Sequence, residues 1–414
     1  MTDRLYYSDS HMTKFTARVV AVADDEQGRP VVTLNRTAFY PTGGGQPSDT
    51  GTLGAAHVVG CIDLGADGVR HVIEGDAPAI GAEVACLIDW PRRLDHLQQH
   101  TAQHILSQSL IELFNAETHG FRIMERASEI DVTLTDPTDV RIERAVDLAN
   151  RIIWEDRSVH VRHVTPEQAT ALPLRKEPTR TGTLRVIEIE GFDLNACGGT
   201  HARRTGEVGI IAVSRWERAK GMTRVEFVAG GRALADYRRA NRTARDVAAI
   251  FSVARDESTA SVARLFEENK NLLRRTRALE EIAARVEAEE IINANSVWHP
   301  DGSRIVTHIF DGRDAESLKR LALALAAHPR TVAILGSRDG DHSRLAFARS
   351  ADAHGDMGAL MREACAMLDG RGGGRPDTAQ GGGRNIEKLE AVIEAATRRL
   401  LNAPNTPADA PAPA

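Results

Sequence analysis

Over residues 1–90, apolar and polar side chains alternate in short runs. TARVVAVADD, RPVVTLNRTAFY and HVVGCIDLG are β-branched and carry turn signals at their ends. A period of two with turns between predicts strands, and several short strands in succession predict a small β-barrel. At Pro91 the period changes. In RRLDHLQQHTAQHILSQSLIELFNA, Leu94, Leu97, Ala102, Ile105, Leu106, Leu110 and Leu113 fall at helical spacing. Strand-like SEIDVTL, a second amphipathic helix in TDVRIERAVDLANRIIWED, a strand in LRVIEIEGFD and a hairpin in VGIIAVSRWERAKGMTRVEFVAG follow. Mixed elements over 91–230 predict an α+β fold.

Residues 231–292 are charged and helical. Leu265, Leu272, Leu279 and Val286 recur every seventh position, but the intervening Val262, Asn269, Thr276 and Ala283 are weak core formers. A long helix or helical hairpin is therefore expected ahead of a firm coiled coil, and it fits a solvated spacer as well as a dimerisation element. Over 303–402, strands RIVTHIF, TVAILGS and SRLAFARS alternate with helices DAESLKRLALALAAH and DMGALMREACAML, which predicts a separate C-terminal α/β domain. The glycines of DGRGGGRPDTAQGGG predict a loop before a last helix, RNIEKLEAVIEAATRRLLNA. The Pro/Ala-rich tail 403–414 is expected to be disordered.

The 414 residues are 42% hydrophobic and 27% charged, enough for several soluble cores. A net charge of −6 argues against a uniformly basic nucleic-acid binder but leaves local basic patches open. MTDRLYYSDSHMTKF has no apolar signal-peptide core, and no apolar run is long enough to span a bilayer. Four cysteines without disulfide-like spacing fit a reducing compartment, so a cytoplasmic location is expected.

Two distant stretches carry the candidate chemistry, DHLQQHTAQH at 95–104 and NACGGTH at 195–201. His100 and His104, four apart on a helix, project from one face. Cys197 and His201 flank Gly198 and Gly199, which let the backbone turn tightly around an ion. Three imidazoles and one thiolate suit Zn²⁺. His96, one turn earlier, is expected at the surface, with a supporting role behind the ligands as the alternative. The metalloprotease pattern HExxH is absent, because Thr101 stands where the general-base Glu would be. Whether the metal holds the fold or does chemistry stays open at this stage: four protein ligands mark a structural zinc, and catalysis would need a displaced ligand or a fifth position.

FYPTGGGQPSDTG, ending at residue 51, lacks the GK[ST] ending of a P-loop. Its glycines allow close backbone approach to a ligand, as they would in a plain hairpin turn. Together, HTAQHILS, NACGGTH followed by TGEVG, and this Gly-rich loop resemble the alanyl-tRNA editing (AlaX) family, related to the editing domain of alanyl-tRNA synthetase. THGFRI, SEIDV and RAKGMTRVEFVAG extend the resemblance, and the C-terminal Gly-rich pattern resembles the DHH-associated domain of its long members. Two departures are Arg122, where a His is frequent, and Arg371 at the first Gly of the C-terminal pattern.

The resemblance implies an N-terminal β-barrel over 1–90, a zinc-containing editing domain over 91–230, a helical linker over 231–292 and an RNA-binding domain over 303–402. It implies hydrolysis of mischarged Ser-tRNA(Ala), in some members Gly-tRNA(Ala), with zinc on His100, His104, Cys197 and His201. His100, His104, Cys197 and Gln46 would be catalytic, Gln46 by holding a water. Thr118, Thr42, Gly43, Gly44, Gly45 and Asp49 would line the pocket, either threonine reading the serine hydroxyl. Arg203, Arg204, Arg215, Arg218, Lys220, Arg224, Arg371, Arg375 and Arg384 would meet tRNA phosphates. With no class II aminoacylation core ahead of the barrel, a free-standing enzyme rather than a ligase is expected, and a homodimer through the linker or C-terminal domain fits. The rivals are a non-catalytic tRNA-binding protein with a structural zinc, a metallohydrolase of small esters or amides, and a synthetase fragment.

Overall fold

Six strands, β1 (Lys14–Asp24), β2 (Pro30–Leu34), β3 (Gly51–Leu53), β4 (Ala56–Asp63), β5 (Val69–Glu74) and β6 (Glu83–Ile88), close into a barrel in the order β1-β2-β5-β4-β3-β6. The computed structural model describes residues 2–175, 183–294 and 296–402 and divides the chain into two units, Met1–Ile250 and Phe251–Ala414. The tail 403–414 lies outside the described residues. Strand alternation turns Val19, Val32, Leu34, Leu53, Val58, Val69, Ile73 and Ile88 into the barrel, and closure leaves it no free edge.

His71 sits in this apolar interior, its Nδ1 2.9 Å from the Val32 carbonyl and its Nε2 2.8 Å from the Thr37 hydroxyl. Burial pushes its pKa down to about 4, against the pull of the Val32 carbonyl. The unfolded chain takes up this proton first as pH falls, so stability is complete above the ordinary value near 6.5 and is lost between there and 4. The loss amounts to about 3 kcal/mol. Denaturant unfolding of His71→Gln at a series of pH values should show a slope shallower by one proton across that window; an unchanged slope would exclude His71 as its source.

Helix α1 (Trp90–Phe114) opens with Pro91 in its first turn, where a missing N–H costs nothing, and closes at Asn115, whose left-handed φ of 53° lets its N–H reach the carbonyls of Leu110 and Ile111. After it come β7 (Thr118–Ile123), β8 (Ser128–Val132), α2 (Asp139–Trp154), β9 (Val159–Val164), β10 (Leu184–Ile189), β11 (Asp193–Ala196), β12 (Ile211–Ala219), β13 (Met222–Ala229) and α3 (Gly230–Ile250). They build a four-stranded antiparallel sheet, β12-β13-β8-β7, and a three-stranded one, β9-β10-β11. Ile105, Leu106 and Leu110 of α1 pack with Ile142, Ala145 and Ile152 of α2 on Ile130 and Phe227 of the larger sheet. The apolar stripe of α1 is only half its burial: Arg93, Gln99, Thr101, Gln103, Ser107 and Ser109 are buried too. Gln99 bonds both backbone groups of Ala229, at 3.0 Å each, and Arg232 pairs with Asp95, which docks the start of α3 on α1.

The helical stretch expected over 231–292 is two helices, α3 and α4 (Ser258–Ala294), interrupted near Ser252, whose φ is 53°. In the second unit the heptad residues Leu265, Leu272, Leu279 and Val286 of α4 are all exposed. Beyond α4, β14 (Ser296–Trp298), β15 (Arg304–Asp311), α5 (Ala315–Ala326), β16 (Thr331–Asp339), β17 (His342–Arg349), α6 (Met357–Met367), β18 (Arg371–Gly374), β19 (Thr378–Gly383) and α7 (Leu389–Leu401) form a mixed sheet ordered β14-β15-β16-β17-β19-β18 with helices packed on it. The Gly-rich segment expected as a loop is therefore a hairpin, β18–β19. Its glycines serve close packing: a Cβ on Gly372 or Gly381 would lie 2.6 or 2.4 Å from Cys365 Sγ of α6. Among the described residues, no helix is long and apolar enough to cross a membrane.

Candidate functional site

α1 presents His100 and His104 from adjacent turns, ring centroids 5.5 Å apart. Facing them, the turn after β11 carries Cys197 and His201. Cys197 Sγ lies 3.4 Å from His100 Nε2 and 3.3 Å from His201 Nε2, and one donor atom from each of the four residues falls within 4.8 Å of all the others. Gly199 makes this approach feasible, since a Cβ there would lie 2.1 Å from the His100 ring. The edges between nitrogen and sulfur match the roughly 3.5 Å expected of a tetrahedral zinc with Zn–N near 2.0–2.1 Å and Zn–S near 2.3 Å. The donor set fits that ion.

Each imidazole is aimed by a partner on its other nitrogen. Gln46 Oε1 lies 2.8 Å from His100 Nδ1, Asp193 Oδ2 lies 2.9 Å from His104 Nδ1, and the Thr101 hydroxyl lies 3.4 Å from His201 Nδ1. All three rings thus keep Nε2 for the centre. Burial alone would raise the Cys197 thiol, but His100 and His201 beside it hold it well below its usual value. Burial holds His201 well below its ordinary value. His104 is lifted against its burial by Asp193. Arg185, mostly buried, binds the carbonyls of Cys197 at 2.7 Å and Gly199 at 2.8 Å and so holds the turn.

Cys197, His100 and His104 open on a cleft of about 710 Å³, whose wall includes Tyr7, Gly44, Gln103, Thr118, Phe121, Arg175 and Arg185. Thr118 donates to Ser107 Oγ at 2.7 Å, and Gln103 Nε2 donates to the same oxygen at 2.8 Å. Of the residues expected in the pocket, Thr118 and Gly44 line it. Gly45 supports it, since its carbonyl accepts from Ile123 N–H and a side chain would collide with Phe121. Gly43 and Gln46 exchange backbone hydrogen bonds across the tight turn. Thr42 accepts from Ser48 N–H, outside the cleft wall.

Gln46 is 1% exposed, and its amide is committed to His100 and Thr200, so it orients a ring instead of holding a water. Asp49 does not line the cleft either; fully buried, it pairs with Arg93. His96, expected at the surface, is 2% exposed, and burial lowers its pKa to about 4. Sequence reasoning missed Asp193, Arg175, Arg185, Ser107 and Gln103. The one available signal was an acid, Asp193, on a strand four residues before Cys197. Arg122 pairs with Glu129, Arg203 with Asp9, Arg204 with Asp156, Arg215 with Glu226 and Arg224 with Asp131. Lys220, Arg371, Arg375 and Arg384 are exposed.

Residues 184–226, with Cys197 and His201, match the threonyl and alanyl tRNA synthetase second additional domain, and residues 301–402 match the DHHA1 domain. Cys197 and His201 in the first match, and the DHHA1 domain in the second, are shared with relatives of alanyl-tRNA synthetase. The chain's domain content is that of the alanyl-tRNA editing proteins, the AlaX family, in the long form that carries the C-terminal domain, and it is similar to one of them along nearly its whole length. The alanyl-tRNA editing protein AlaX-L of Pyrococcus horikoshii is 29% identical over 97% of this chain and 98% of its own length. The alanine–tRNA ligase of Pyrobaculum neutrophilum is 35% identical over 81% of this chain; the match takes in 38% of the ligase, so the chain spans well under half of that relative. Among solved structures, the C-Ala domain from Aquifex aeolicus alanyl-tRNA synthetase matches 26% of this chain and 99% of its own, at 26% identity and a TM-score of 0.25.

Proposed function

We propose that the protein deacylates mischarged tRNA(Ala), removing serine in preference to alanine, with zinc held by His100, His104, Cys197 and His201. The observation that carries this is the convergence of the four donors, three of which open on a cleft whose wall bears Thr118. A bound zinc would polarise the ester carbonyl and make water more acidic. The chain itself binds and orients. Gln46, Asp193 and Thr101 hold the rings, and Arg185 holds the Cys197 turn. Thr118, backed by Ser107 and Gln103, offers a hydrogen-bonding wall that a seryl hydroxyl completes and an alanyl methyl leaves unpaired. Glycine would also leave it unpaired, so serine is the preferred substrate over glycyl-tRNA(Ala).

For the tRNA, Lys220 at the tip of the β12–β13 hairpin and Arg371, Arg375 and Arg384 of the C-terminal domain are the proposed phosphate contacts. Arg203, Arg204, Arg215 and Arg224 would have to exchange a carboxylate for a phosphate. The site is tested by deacylation of Ser-tRNA(Ala) and Ala-tRNA(Ala) with the parent chain and Thr118→Val. The parent should spare alanine, and the variant should lose about 10-fold of the serine preference, the worth of one hydrogen bond. An unchanged ratio would remove Thr118 from recognition. A second reading, a tRNA-binding protein with a structural zinc, draws on the completeness of the four-donor set.

A further inference from the structure

The second unit contains another convergence of donor groups. The turn between β14 and β15 carries His299 and Asp301, and the connection from β17 to α6 carries His354. Strand register brings them together: β15 begins beside β16 at Arg304 and Thr331, and β17 ends beside β16 at Arg349 and Val332. Both segments are braced through the backbone. His299 N–H donates to the Ser303 carbonyl at 2.8 Å, Gly302 N–H to the His299 carbonyl at 2.9 Å, and Arg330 binds the Asp301 carbonyl at 2.8 Å. Across from them, the Arg349 guanidinium holds the carbonyls of Ser350, Ala353 and Gly355.

Only the side chains then meet. Asp301 Oδ1 lies 2.8 Å from His299 Nδ1 and Oδ2 lies 2.7 Å from His354 Nδ1, while the imidazole centroids stand 4.7 Å apart. One donor atom from each of the three falls within 4.8 Å of the others. Asp301 accepts from Ser303 N–H and hydroxyl, which fixes its carboxylate between the two rings. His299 Nδ1 accepts the Asp301 N–H at 3.2 Å. The same nitrogen stands 2.8 Å from the carboxylate oxygen, so the ring and the carboxylate face one another at hydrogen-bonding distance.

We infer that His299, Asp301 and His354 form a second metal site, specific for a divalent transition ion, that ties the turn before β15 to the segment before α6. Two imidazoles and one carboxylate without a thiolate suit Zn²⁺, Co²⁺ or Ni²⁺ over Mg²⁺ or Ca²⁺, which want all-oxygen cages. Three protein ligands leave a position for water. With metal–ligand bonds near 2.0–2.1 Å the donors would stand roughly 3.4 Å apart, so the cluster must open by about 0.6 Å. His354, whose side chain is 19% exposed, has room to move.

The test is titration of the full-length, chelator-stripped protein with Co²⁺. The parent should take two ions per chain. One should show the near-ultraviolet charge-transfer band of a thiolate and the other only weak visible bands. His354→Gln keeps a donor for Asp301, so a merely hydrogen-bonded clip would survive it; it should take one ion and keep the thiolate band. Asp301→Asn should do the same. One ion without a thiolate band in the parent, absent from His354→Gln, would uphold this site while refuting a metal at Cys197. A single ion with the thiolate band in the parent, no ion at all, or an unchanged count in both variants overturns the proposal.

Discussion

Replacing Cys197 by Ala should slow hydrolysis of Ser-tRNA(Ala) by more than about 100-fold and leave Ala-tRNA(Ala) as stable as it is with the parent chain. The magnitude follows from position. Outer partners of a metal centre typically cost 10–100-fold when lost, and Cys197 is the donor at which two imidazoles converge, 3.3 and 3.4 Å away. It is also the one of the four not fully buried, on the side open to the cleft. Asp193→Asn should fall within the 10–100-fold range, because it weakens the hold on His104 and on Arg175, 2.9 Å from the other carboxylate oxygen. Zinc content measured beside the rates separates the two readings of the centre. Activity and zinc lost together in Cys197→Ala establish editing through the site. A parent that binds zinc and tRNA(Ala) but hydrolyses neither ester would leave the metal a structural part of a binding protein.

The four donors were legible in the sequence because each pair lies within one local element: a four-residue spacing on a helix and a four-residue spacing around two glycines. What aims them was not. Asp193 and Gln46 reach the centre from other elements, and nothing local marks a carboxylate on a strand or an amide in a Gly-rich turn as the partner of a particular imidazole. The same limit explains Asp49, which shares its loop with Gln46 but pairs with Arg93 near the start of α1 instead of with a ring of the centre. The barrel was readable because strand alternation has a fixed period, whereas the buried polar face of α1 has none: Arg93, Gln99 and Gln103 look like solvent-facing residues until the elements around them are known. In the second unit, glycines that suggest a loop pair as strands, and at Gly372 and Gly381 they leave the room that Cys365 and the facing backbone need.

The largest loss of stability should come from Asp49→Ala, about 3–5 kcal/mol, the cost of leaving one charge of a buried ion pair uncompensated. Both Arg93 and Asp49 side chains are wholly shielded from solvent. The Arg93 guanidinium, on the first turns of α1, bonds the Asp49 carboxylate and also the carbonyls of Ser10 at 2.6 Å and Ala38 at 2.6 Å, while Asp49 accepts the Tyr40 N–H at 2.6 Å. One ion pair therefore joins the N-terminal segment, the barrel wall, the Gly-rich loop and the helix that carries His100 and His104. For the first unit the expected fall in melting temperature is on the order of 10 °C. Arg93→Met should cost a similar amount, and the double variant less than the sum, because removing both charges relieves the uncompensated one. Rescue should stay incomplete, since Ser10, Ala38 and Tyr40 would each keep a buried backbone group without its partner. Thermal unfolding of the three variants measures this directly. Additive losses would mean the two side chains act independently, and a fully rescued double variant would mean that the backbone bonds contribute nothing.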